Sequence, residues 1–116
     1  MANKPPGLTT HVLDTARGRP AFGMRVELAR EGEIVVSATL NEDGRTDSPL
    51  LSAETFAAGR WELRFHVGEY FRALGLGEEP PFHDVVAVAV TLRSDRGHYH
   101  VPLLVSPFGY TTYRGS

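Results

Sequence analysis

Short β-prone runs, several of them alternating apolar and polar residues with the period of a strand with one wet face, divide this chain. Leu8–Asp14 is the first, and if Leu8, Thr10 and Val12 face a core, then Thr9, His11 and Leu13 face outward. The run 16–20 breaks it with Gly18 and Pro20. Met24–Arg30 alternates apolar and polar, and after the turn Glu31-Gly32-Glu33 the segment Ile34–Leu40 resumes as a second strand. They predict a hairpin with a loop of about three to five residues. Asn41-Glu42-Asp43-Gly44 is the next turn, followed directly by Arg45. Trp61, Leu63, Phe65 and Val67 alternate with Glu62, Arg64 and His66, and residues 68–75 predict a two-turn helix closed by Gly75.

In the second half, Val86, Val88, Val90 and Leu92 share one strand face, with Val85, Ala87, Ala89 and Thr91 on the other. Such near-continuous apolarity predicts burial on both faces, within the domain and against a partner. Tyr99–Ser106 is a strand whose core set is Val101, Leu103 and Val105, which turns His98, His100, Pro102 and Leu104 outward. Pro107-Phe108-Gly109 is a turn, and Tyr110–Arg114 reads as the last strand. Seven or eight strands with one short helix predict an all-β, two-sheet antiparallel β-sandwich, one domain over residues 1–116.

Composition narrows the chemistry. Hydrophobic residues make up 41% of 116, enough for a modest core. Cysteine is absent, which removes disulfides, thiolate catalysis and Cys-ligated zinc. A net charge of -2 offers no general basic field, so no nucleic-acid partner is expected. The N-terminal residues lack an apolar signal region, and there is no apolar run of about 18 residues, so the expectation is a cytoplasmic protein without a membrane partner.

Phosphate loops, GxSxG elbows and HExxH helices are missing, so candidate chemistry rests on histidines and one arginine. His11 and His100 lie on outer faces of separate strands, beside exposed apolar groups, which is what a second subunit would cover. Alternatively, His98, His100 and His11 form a three-histidine metal site, although no acidic neighbour stands beside them as a supporting shell. Arg45 is either a solvated loop cation or a planar fork for a carbonyl-rich or anionic ligand. The terminal Tyr113-Arg114-Gly115-Ser116 is either a frayed end or a tail that dips into a pocket.

These residues carry a resemblance. Leu8-Thr9-Thr10-His11-Val12-Leu13-Asp14 with Gly18-Arg19-Pro20-Ala21, then Asp43-Gly44-Arg45, then Tyr99-His100-Val101-Pro102-Leu103-Leu104 through Ser106-Pro107, and the terminal YRGS together resemble the transthyretin-like 5-hydroxyisourate hydrolases. The terminal motif is the most specific, because it separates the hydrolases from the hormone-carrying transthyretins. The resemblance covers nearly the whole chain. His83, where the family more often has proline, and the stretches 17–19 and 52–59 depart from it, outside the implied site.

The resemblance implies a catalytic set of His11, Arg45, His100 and Ser116, with Tyr113 helping to hold the substrate, and no cofactor. It implies a homotetramer, a dimer of dimers, whose sites lie where sheet faces meet. The implied reaction opens 5-hydroxyisourate to 2-oxo-4-hydroxy-4-carboxy-5-ureidoimidazoline in urate degradation by His-activated water, either histidine serving as base. The alternative is a carrier binding a small ligand in the inter-subunit channel, for which a pocket of His11, Arg45 and His100 is too cationic if the ligand is apolar.

Overall fold

The computed structural model describes residues 5–115. Its elements are β1 (Gly7–Asp14), β2 (Arg19–Pro20), β3 (Arg25–Arg30), β4 (Glu33–Thr39), β5 (Gly59–Phe65), α1 (Val67–Ala73), β6 (Val86–Leu92), β7 (His98–Ser106) and β8 (Gly109–Thr112). Two four-stranded sheets result, ordered β2-β1-β7-β8 and β4-β3-β5-β6. Alternation does the sorting. Leu8, Val12, Leu103 and Val105 from one sheet meet Val26, Leu28, Leu63 and Phe65 from the other, all with no exposed surface. Truncating any of these leucines to alanine would cost about 2–5 kcal/mol.

The two-sheet sandwich with one short helix is therefore as expected, with three differences of detail. β1 and β7 pair in parallel, Leu8 opposite Tyr99 and Thr9 opposite His100, while every other strand pairing is antiparallel. Parallel neighbours cannot be joined by a hairpin, and these two come from opposite ends of the chain. The β3–β4 loop has two residues, since Arg30 pairs with Glu33. Glu31 and Gly32 both take positive φ, 51° and 81°, the geometry that matches a tight hairpin to strand twist.

Within one subunit one face of β6 is covered, as expected: Val86 and Leu92 are buried, and Ala87, Ala89 and Thr91 face outward, on the side where a partner is expected. The last strand stops at Thr112, and residues 113–115 leave it.

The C-terminal end of β1 is fastened by charge. Asp14 has no exposed surface. It accepts hydrogen bonds from the Arg17 backbone N–H (3.0 Å), Arg17 Nε (3.0 Å) and the Tyr70 hydroxyl (2.8 Å), and Arg17 Nη2 donates to the Tyr70 oxygen at 2.9 Å. Burial alone would raise the Asp14 pKa, but these donors outweigh it and hold the carboxyl below its usual value. Helix and strand are tied through this one carboxylate.

Candidate functional site

Three backbone contacts assemble the candidate residues on the outer face of the β1–β7 pair. Arg45 forms a bridge with His11, carried by the Val12 N–H to the Gly44 carbonyl at 2.9 Å. Gly44 makes this approach possible. Its φ is 74°, and a Cβ there would stand 2.5 Å from the Val12 carbonyl oxygen. The turn before it is self-supporting, because Asn41 Oδ1 accepts from the N–H groups of Asp43 (2.9 Å) and Arg45 (3.2 Å). The Asn-Glu-Asp-Gly turn thus sets Arg45 opposite His11 across this bridge.

His100 enters from the neighbouring strand. Its register partner on β1 is Thr9, two residues from His11, so the two histidines are diagonal neighbours on one face. Thr9 Oγ1 lies 2.8 Å from His100 Nδ1 and 2.8 Å from His98 Nε2. On the far side, the tail folds back along β7, and the Gly115 N–H donates to the His100 carbonyl at 2.7 Å. A Cβ at Gly115 would sit 2.7 Å from His100 Cδ2, so only glycine lets the tail lie against the imidazole. Arg114 stacks over the Tyr99 ring at 4.4 Å and pins the same turn.

The electrostatics are one-sided. His11 and His100 are half-buried and Arg45 is exposed. Among the described residues no carboxylate forms an ion pair with any of the three. Burial, then the charges of Arg45, His11 and His98, push the His100 pKa below its ordinary value of 6.5. His100 is thereby neutral near pH 7, with a lone pair to offer. An arginine whose guanidinium has no hydrogen-bond partner among the described residues, near a neutral imidazole, suits a planar, carbonyl-rich ligand and a water that needs a base.

The other sequence candidates fall elsewhere. Tyr113 is 56% exposed and lines a cavity of about 330 Å³ with Val88, Val90, Tyr99 and Val101, a hollow that includes none of His11, Arg45 and His100. Ser116 lies outside the described residues. His66 bonds Glu27 Oε1 at 2.7 Å, and His83 packs between the rings of Phe82 and Tyr110. Among the described residues no cluster of three or more His, Cys, Asp or Glu could hold a metal ion. Both His98 and His100 spend a ring nitrogen on the Thr9 hydroxyl. Thr9 itself was visible only as an outward residue, and its place between two imidazoles depends on the parallel register.

Known proteins were compared with the chain. A model described as the HIUase/Transthyretin family matches residues 8–115. A 5-hydroxyisourate hydrolase of Deinococcus radiodurans is 52% identical over 115 residues, covering 96% of this chain and 97% of that protein. The solved Klebsiella pneumoniae 5-hydroxyisourate hydrolase superimposes with a TM-score of 0.84 at 34% identity, covering 96% of this chain and 99% of the other. The crystal structure of an (S)-allantoin synthase gives a TM-score of 0.88 at 38% identity; it covers 98% of this chain, which spans 45% of the synthase.

Proposed function

The chain belongs to the HIUase/Transthyretin family and is a hydrolase of 5-hydroxyisourate in urate degradation, and from that premise we propose how His11, Arg45 and His100 carry the reaction. The observation that supports this reading best is the meeting of an arginine and two histidines on one open sheet face, with no carboxylate among the described residues to neutralise them. A ligand rich in carbonyl oxygens completes that charge pattern, and an apolar carrier ligand does not.

In the proposed reaction His100 takes a proton from water, whose oxygen bonds to a ring carbonyl carbon. Arg45 donates to the carbonyl oxygen as negative charge gathers there, a contribution of about 3 kcal/mol for one well-placed donor. The lactam C–N bond then breaks, and the proton that His100 took from water passes by way of His11 to the departing nitrogen, so that water is divided between carbon and nitrogen, both imidazoles end as they began, and no cofactor enters. Ser116 is proposed to hold the water or the His100 ring, a role suggested by Gly115 lying against that ring. Tyr113 is proposed to reach the substrate from the adjoining hollow.

The face that bears the site is open in one subunit. We place a second copy of the chain over it, in a homotetramer built as a dimer of dimers, so that the substrate is enclosed between sheet faces. Light scattering after size exclusion tests this assembly, and a monomer at working concentration would overturn it. The activity itself is tested by following the absorbance of freshly generated 5-hydroxyisourate. The protein is expected to speed its decay well above the spontaneous rate; equal rates with and without it would return the carrier reading to first place.

A further inference from the structure

A hydroxyl bonded to two imidazoles is a constrained object. Thr9 Oγ1 has one proton to give and two lone pairs, so it can donate to one ring only and must accept from the other if both bonds are made. Both rings are also sterically seated. A Cβ at Gly7, the register partner of His98, would stand 3.0 Å from His98 Nδ1, and Gly115 clears the space beside His100 Cδ2. With Nδ1 of His100 held by Thr9, the nitrogen left to face a substrate is Nε2, the one farther from the backbone.

We infer that Thr9 and His98 are positioning residues that set the tautomer of His100: the Thr9 hydroxyl gives its proton to His98 Nε2 and accepts the Nδ1–H of His100, leaving a lone pair on His100 Nε2. The reverse arrangement would put an N–H on Nε2 and make His100 a donor among donors. Arg45 favours the first state, since its positive charge attracts a lone pair and repels an N–H. Burial and that charge together lower the proton affinity of the ring as a whole. His98 holds the hydroxyl proton away from His100, and this inference rests on the reading of His100 as the base.

The test pairs long-range ¹H–¹⁵N spectra of the His100 ring with turnover of 5-hydroxyisourate, in the full chain and in Thr9→Val, Thr9→Ser and His98→Leu. The full chain is expected to show His100 protonated on Nδ1 near pH 7.5. Thr9→Val should mix the tautomers and lower kcat about 10-fold to 100-fold with little change in KM, the usual size for loss of an orienting partner. Thr9→Ser should restore both signals, and His98→Leu should give a smaller, severalfold loss as the hydroxyl turns toward His100. An unchanged tautomer in Thr9→Val overturns the inference, whatever happens to kcat. A changed tautomer with unchanged kcat upholds the hydrogen bond and overturns the role of His100 as base, so the two failures are told apart.

Discussion

Strand β1 carries two polar clusters that use charge in opposite ways. At its end, Asp14 is fully buried and every oxygen contact is answered by Arg17 or Tyr70. Three residues earlier, His11 faces out beside Arg45, with no carboxylate partner among the described residues. The first cluster closes on itself and stabilises the sandwich. The second is left open, and its unanswered positive charge costs the free protein something that a ligand can offset. Balanced charge marks structure here, and unbalanced charge marks the reacting face.

If that division holds, substitutions in the two clusters should separate activity from stability. Arg45→Lys and His100→Asn should each lower kcat/KM by about a hundredfold or more, because each removes a group acting on the transition state. Thermal unfolding should leave both variants near the parent. Steady-state kinetics and calorimetry on the same samples check this, and near-parental rates would sink the site. Asp14→Ala should do the reverse. It leaves the Tyr70 hydroxyl and Arg17 without their acceptor and should cost about 3 kcal/mol, measured by urea unfolding.

Gly115→Ala sharpens the border of the open cluster. The added methyl must displace the His100 ring or the tail, and a shift of that size should slow turnover by about tenfold or more with the fold intact. Full activity in this variant would show that the tail does not shape the base.

The smallest effects are in pH. His100 must be neutral to act, so kcat/KM should be level at neutral pH and fall on the acid side, with a midpoint below 6.5. Removing the cation with Arg45→Met should move that midpoint upward, a shift readable in whatever activity remains. Stability follows a different limb. Asp14 has a lowered folded pKa, so its contribution is present above the unfolded value near 3.8 and is lost as pH falls through the folded one. Acid should therefore silence the enzyme well before it loosens the β1–α1 tie.

Much of this was legible in residue order, and the reason is periodicity. Alternation places a residue on a face, so Thr9, His11, His98 and His100 were correctly turned outward, and the Asp-Gly turn before Arg45 was correctly found. Alternation does not say which strand lies alongside. The parallel β1–β7 register, the contact of His11 with Arg45 and the Thr9 bridge between two rings all come from tertiary pairing. Loop length was misjudged because Glu31 accepts a φ that glycine usually takes. The outer face of β6, which the alternation sets against a partner, is open in a single subunit.

The parallel pairing has a consequence for how the molecule comes into being. Thr9 and His100 touch across 91 residues of chain, so the reacting face, like the rest of the β1–β7 pairing, closes a loop of most of the chain. On a ribosome, the N-terminal strand emerges early and must wait for nearly the whole chain before its neighbour arrives. The hairpin of β3 and β4 can form at once from local contacts. Catalytic competence should thus be the last property a nascent chain acquires, and a chain released before β7 would carry His11 and Arg45 without His100.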